Sequence, residues 1–177
     1  MNDLKEPKKE GHLEEISYDS EQIIVFKQAG EEYGLHIDQI KEVVITPNIT
    51  RMPQTPHYIK GVANIRGNII AIIDLEEKFG LKDDQNTSVK SDEQCYTLVV
   101  ESEEFKVGIL VNEVPNTLTV STKDIEDSIN IASSGEVDQD YIRGIIKLKD
   151  RLVILIDIFK VLNEKDKDLI VGKNHVD

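Results

Sequence analysis

The 177-residue chain has a single cysteine, Cys95, and therefore no means of forming an intrachain disulfide. Its stability has to come from a packed core. No apolar run approaches the roughly 20 residues that span a bilayer, and the first 21 residues mix Lys, Glu and Asp without an apolar stretch of signal-peptide length. These absences make the cytoplasm the expected location. Basic residues are also scarce, with 21 Lys and Arg against 34 Asp and Glu and a formal net charge of -13. Affinity for nucleic acid comes largely from Lys and Arg displacing counterions, so a nucleic-acid-binding role is not expected. The same sign repels anionic lipid, so any membrane association is expected to run through a protein partner.

The motifs of common catalytic chemistry are missing as well. His12, His36, His57 and His175 are scattered, and Cys95 neighbours none of them, so no metal site is expected. The sequence has no Gly-rich phosphate cradle, no GxSxG elbow and no HExxH helix motif, and no cofactor is expected. Paired carboxylates remain available among so many acids. A small acidic hydrolase is therefore a rival reading, and it predicts a deep polar pocket holding perturbed acids. Asp74 and Asp157 read more simply as helix N-caps.

What the chain does have is a succession of short apolar segments rich in Ile and Val, at 23–26, 33–40, 69–73, 96–100, 105–111, 118–120, 142–148 and 152–156. Their length and composition indicate strands, and Cys95, at the head of one, reads as a buried strand residue. Polar stretches at 82–94 and 121–139 read as loops. Helix is scarce: a short one led by Asp74 and stopped by Gly80, and a second from Asp157 that places Ile158, Val161 and Leu162 on one face. The class is mainly β with a few short helices.

The chain also repeats itself. Residues 58–79 slide by 83 positions onto 141–162 without a gap, placing Tyr58, Ile59, Gly61, Ile73 and Asp74 on Tyr141, Ile142, Gly144, Ile156 and Asp157. An earlier segment repeats at 72 to 71, with Tyr33 on Phe105, Ile37 on Ile109 and Glu42 on Glu113. Two similar hairpin-rich lobes follow, and small sheets hide their edges best by closing into barrels. The expected organisation is a tail over 1–21, a first lobe with a trailing linker over 22–93, a second lobe with the start of a C-terminal helix over 94–163, and a charged tail over 164–177.

Among the basic residues Arg66 stands apart, because Asn64 and Gly67-Asn68 mark a tight turn between Ile65 and Ile69. An arginine mounted on a turn presents a planar fork of donors to a carboxylate, and Glu42 is the candidate partner in the same lobe. Its repeat counterpart, Lys149, keeps the charge and lacks the fork.

The segments Phe26-x-x-x-Gly30-Glu31-Glu32-Tyr33-Gly34-Leu35-x-Ile37, Ile40-Lys41-Glu42-Val43, Tyr58-Ile59-Lys60-Gly61-Val62-x-Asn64-Ile65-Arg66-Gly67 and Val107-Gly108-Ile109-Leu110-Val111-Asn112-Glu113-Val114 together resemble the CheW-like chemotaxis coupling family. The resemblance runs from about residue 22 to 162. It implies two five-stranded SH3-like barrels packed together, and a non-enzymatic adaptor linking chemoreceptor cytoplasmic tips to the regulatory domain of the histidine kinase CheA. The contact positions it implies are Ile40, Glu42, Gly61, Arg66, Tyr96, Gly108 and Gly144. Tyr96 and Asn112 depart from the family's commonest residues, small aliphatic and Asp. Ile40, Val111 and Val114 are expected to line a receptor groove, with Glu42 and Arg66 at its rim. A kinase regulatory module or a coupling domain fused to a phosphoreceiver is the nearest alternative; the sequence shows no ATP-binding, phosphotransfer or receiver segment.

Overall fold

The computed structural model describes residues 19–81, 94–127 and 141–171. The loop expected over 82–94 and the second loop beyond 127 lie almost wholly outside these residues, as does most of the N-terminal tail. Eleven strands are described: β1 (Ser20–Gln28), β2 (Glu31–His36), β3 (Ile40–Ile45), β4 (Ile59–Ile65), β5 (Asn68–Ile73), β6 (Tyr96–Glu101), β7 (Lys106–Val111), β8 (Asn116–Ser121), β9 (Ile125–Glu126), β10 (Ile142–Lys147) and β11 (Leu152–Ile156). The helices are α1 (Leu75–Lys78), α2 (Ile158–Val161) and α3 (Glu164–Val171).

The strands form two sheets, β3-β6-β7-β5-β4 and β8-β1-β2-β11-β10-β9. In each, the two outermost strands are close neighbours in the chain. Three residues connect β8 to β9, and Thr50, just past β3, bridges to Val62 of β4. A sheet whose edges are joined so tightly has to roll up, which makes each sheet a small barrel. We refer to them as barrel 1 (β3 to β7) and barrel 2 (β8 to β11 with β1 and β2). Barrel 2 has six strands rather than the expected five because the two-residue β9 adds to β10.

The expected lobe boundaries at 22–93 and 94–163 do not hold. The β1–β2 hairpin belongs to barrel 2, where β2 runs parallel to β11, and the β6–β7 hairpin belongs to barrel 1, where β7 runs parallel to β5. The reason is burial on both faces. In β1, Ile23 and Val25 fill barrel 2 while Ile24 and Phe26 face the other barrel; in β6, Val99 points into barrel 1 while Leu98 and Val100 face outward. Such strands read as unbroken apolar runs, because neither face meets water.

The repeat itself is sound. Bulges at Ile59/Gly61 and Ile142/Gly144 occupy matching positions 83 apart, and Asp74 and Asp157 each donate a backbone N–H at 2.8 Å to the carbonyls of Tyr58 and Tyr141. The hairpin offset needs correcting. The parallel pairs Ile154–Tyr33 and Ala71–Val107 set it at 74, so Gly34 matches Gly108 and Glu42 matches Asn116 rather than Glu113.

Three apolar clusters result, one inside each barrel and a larger one between them. The middle cluster draws Ile24, Phe26, Tyr33 and Leu35 from barrel 2 and Leu98, Val100, Val107, Ile109 and Val111 from barrel 1. Polar ties cross it: Gln28, 3% exposed, donates from Nε2 to the Leu110 carbonyl at 3.2 Å, and Gln39 Nε2 donates to Asp157 Oδ1 at 2.8 Å. Asp74 and Asp157 cap α1 and α2, as expected.

The stretch expected as a charged tail from 164 instead begins with α3. Asp166 is fully buried, accepting from Lys78 Nζ at 2.7 Å and from the Tyr58 hydroxyl, while Asn163 and Asp166 cap each other's backbone N–H at 2.9 Å. Burial first, then the Asp166 hydrogen bond, pushes the Tyr58 hydroxyl above the ordinary tyrosine value. An eight-residue helix is not stable in water by itself, so α3 depends on this anchor. The remaining residues of the expected tail, 172–177, lie outside the described residues.

Two outcomes follow. Asp166→Ala strands the Lys78 ammonium, only 12% exposed, and should destabilise the protein by about 3 kcal/mol in urea unfolding. Because each barrel borrows a hairpin, fragments 1–87 and 88–177 produced separately should each lack a cooperative transition and regain a single one on mixing. Either fragment melting cooperatively by itself would contradict the exchange.

Candidate functional site

Asn64 to Asn68 form the two-residue hairpin that joins β4 to β5. Arg66 and Gly67 have φ of 52° and 85°, the left-handed pair of a type I′ turn. Gly67 adopts this freely; an arginine there costs roughly 1–2 kcal/mol. Arg66 Nε donates to Glu42 Oε2 at 2.6 Å, so the partner expected from sequence is the one found. Glu42 follows the bulge at Ile40/Glu42 on β3. β3 and β4 are the two edges of barrel 1, and the ion pair therefore spans the seam where that barrel closes. Glu42 is 19% exposed, whereas the Arg66 side chain is 73% exposed, which leaves most of the guanidinium facing solvent.

Beside the seam lies an apolar strip that sequence reading did not locate. Val44 packs with the interior of barrel 1, so Val43 and Ile45, one position either side, point out, and they are 42% and 60% exposed. Their cross-strand partners on β6 are Leu98 and Tyr96, and those of β6 on β7 are Ile109 and Val111. The row Ile45–Tyr96–Val111 thus descends from open surface to a residue 1% exposed. Ile40 packs half-buried against the same cluster. The strip is the uncovered margin of the inter-barrel core. The signal that could have revealed it was the alternation in Ile40-Lys41-Glu42-Val43-Val44-Ile45, which the bulge disguises by adding a residue.

The other expected contact residues are placed as follows. Val111 is buried beneath the strip and does not line a groove, which corrects the expectation; Val114 is 60% exposed in the connection from β7 to β8. Tyr96 is half-buried within the strip. Asn112 is exposed, and its Oδ1 accepts from Cys95 Sγ at 3.7 Å. Cys95 itself is only partly buried and sits just ahead of β6, rather than in the strand. Gly61, Gly108 and Gly144 are all buried. A Cβ on Gly108 would come within 2.6 Å of Thr97 Cγ2 and 2.7 Å of Ile72 Cδ1, inside barrel 1, and one on Gly61 would meet the Thr50 carbonyl oxygen at 2.1 Å. One on Gly144 would lie 2.7 Å from the Glu126 carbonyl oxygen. These glycines permit close chain approach and present nothing to a partner.

Barrel 2 has no equivalent site. At the matching positions Val43 and Ile45 become Thr117 and Thr119, Glu42 becomes Asn116 and Arg66 becomes Lys149. Lys149 lacks a positive φ. Among the described residues neither the apolar strip nor the strained ion pair recurs.

A profile for the CheW-like domain matches residues 22–166. The chain belongs to the CheW-like domain family. It is 32% identical over 157 residues to a chemotaxis protein CheW of Klebsiella aerogenes, covering 88% of this chain and 90% of that one. It is 31% identical over 167 residues to one of Helicobacter pylori, covering 93% and 96%. Among solved structures, the scaffolding protein TtCheW of Thermoanaerobacter tengcongensis matches with a TM-score of 0.68 at 32% identity, over 82% of this chain and 90% of that one. The CheW-like family is one of non-enzymatic adaptors in chemotaxis. Among the described residues no helix is long and apolar enough to cross a membrane, and no three His, Cys, Asp or Glu side chains are grouped to hold a metal.

Burial of Gly108 generates a test of its role. Gly108→Ala should cost about 1–3 kcal/mol of stability through overpacking, with any loss of partner binding following the loss of fold. If the variant kept parental stability in urea and still lost binding, the steric account would be wrong.

Proposed function

We propose that this protein is a cytoplasmic adaptor that couples chemoreceptor tips to the chemotaxis histidine kinase CheA, supporting array assembly and control of the kinase. The observation that carries this reading is the one-sided surface of barrel 1. An open apolar margin formed by Ile40, Val43 and Ile45 of edge strand β3, with Tyr96 beside them on β6, runs along the strand that carries Glu42, which the exposed Arg66 reaches from the β4–β5 turn. Receptor tips are helical, and an amphipathic helix docks by laying its apolar face into such a margin while a charged rim sets its orientation. The magnitudes favour a role in contact over one in stability. An exposed ion pair returns about 0–1 kcal/mol, which does not offset the roughly 1–2 kcal/mol that a left-handed arginine costs. Strain that the fold gains nothing from is typical of functional positions.

The kinase contact is assigned to a surface apart from this margin, since an adaptor has to engage both partners at once. Recruitment to the membrane then comes through the receptor, in keeping with the net charge of -13.

Co-sedimentation of a receptor signalling fragment and the kinase, with and without this protein, tests the reading. The parent protein should bring the kinase into the pellet. Ile45→Glu and Arg66→Ala should each reduce that recruitment by at least about tenfold while shifting stability by no more than about 0.5 kcal/mol. Full recruitment by both variants would show that the margin is not the receptor site, and no recruitment by the parent would overturn the adaptor reading.

A further inference from the structure

We infer that Asn64 is a positioning residue for Arg66, fixing the turn from which the guanidinium is presented; its consequence for coupling rests on the function proposed above. In a two-residue hairpin the ladder uses the N–H of the residue after the turn and leaves that of the second turn residue unpaired. Here Gly67 is that residue. Its N–H donates to Asn64 Oδ1 at 2.9 Å, so a side chain on the preceding strand ties down the turn.

The chain contains its own comparisons. In the β1–β2 hairpin, Ala29 and Gly30 also have positive φ, 51° and 80°, and there too a side chain holds a turn amide: Ala29 N–H donates to Glu76 Oε1 at 2.7 Å. In the β10–β11 hairpin the turn residues are Lys149 and Asp150, Lys147 stands where Asn64 would be, and neither turn residue has a positive φ. Glycine in the second position makes the left-handed turn accessible. A side-chain acceptor on a turn amide accompanies both cases in which a residue other than glycine shares it. Without such a tie the preference of arginine for negative φ competes, and a change of φ at Arg66 swings the guanidinium away from Glu42.

The test compares Asn64→Ala with Asn64→Asp, which keeps an acceptor oxygen, in the full-length protein, each alone and combined with Arg66→Ala. Amide exchange at Gly67 and the Nε–H resonance of Arg66, followed by NMR, report the turn and the ion pair directly. Recruitment of the kinase to a receptor signalling fragment reports coupling. Asn64→Ala should speed Gly67 exchange, release the Arg66 Nε–H from its paired position and weaken recruitment about two- to tenfold, with Asn64→Asp close to the parent. In the Arg66→Ala background neither substitution should reduce recruitment further. Unchanged NMR signals in Asn64→Ala would overturn the positioning role, as would a loss of recruitment that persists undiminished without Arg66. Altered signals together with normal recruitment by Arg66→Ala would leave the positioning intact and refute the coupling role of Arg66.

Discussion

The central residues of β1 (23–26) and β6 (97–100) turn neither face to water, and the architecture depends on that constraint. Each strand supplies alternate residues to a barrel interior and the rest to the cluster between the barrels. A strand in this position cannot be a boundary element of an independent lobe. It has to lie at the junction, and its hairpin partner, β2 or β7, makes the parallel pairing that completes the opposite half's sheet. The barrels are consequently two packing units made from one interlaced chain. Fully burying each aliphatic side chain contributes about 1.5–3 kcal/mol, and the middle cluster gathers the largest set of them, so the relative placement of the barrels is fixed by the same strands that fill each barrel, through their opposite faces.

That placement creates the surface that barrel 1 displays. The middle cluster is covered by β1 and β2 over most of its extent but not at the β3 edge, where Val43 and Ile45 emerge. The exposed strip is thus an extension of the core rather than an isolated patch, with a floor already packed at Leu98 and Val111. Because its floor is already packed, the receptor helix proposed above would pay little to order this surface. The seam ion pair stands alongside because β3 is also the strand that closes the barrel. One edge strand carries both the apolar margin and the carboxylate that holds Arg66.

Much of this was legible in the sequence, and what was not has identifiable causes. The 83-residue repeat, the caps at Asp74 and Asp157, the turn at Arg66 and its pairing with Glu42 all depend on local chemistry, which a sequence displays. The exchange of hairpins between halves depends on which apolar run faces which, and Ile23-Ile24-Val25-Phe26 reads the same whether one face or both are buried. The hairpin offset of 72 matched the acidic pairs Glu31-Glu32 and Glu103-Glu104, which lie outside the parallel ladder; the buried glycines Gly34 and Gly108, under steric constraint, gave the register in the structure. Gly108, Gly61 and Gly144 showed up as family positions without revealing that their role is to let chains approach. The anchor at Asp166 was hidden by its neighbours, since Glu164, Lys165, Lys167 and Asp168 make the segment look solvated throughout, and only one carboxylate turns inward.

The corrected register sharpens the contrast between the two halves. Under the earlier offset Glu42 had an acidic counterpart in Glu113, and the seam chemistry of barrel 1 could have been imagined twice. At an offset of 74 the counterpart is Asn116, the strip residues become threonines, Lys147 replaces Asn64, and Lys149 sits in a turn of a different kind. Five positions gathered at one edge by folding differ between the halves, while the matching bulges at Gly61 and Gly144, the caps and the core positions that build the barrels agree. Duplication accounts for the agreement, because both copies have to satisfy the same packing geometry. The differences fall on surface positions that the packing leaves free, and they concentrate on one edge. The coupling proposed above, to two distinct partners, would need unlike surfaces on the molecule, and a duplicated fold reaches that state with the fewest changes when the divergence is confined to residues the core does not use.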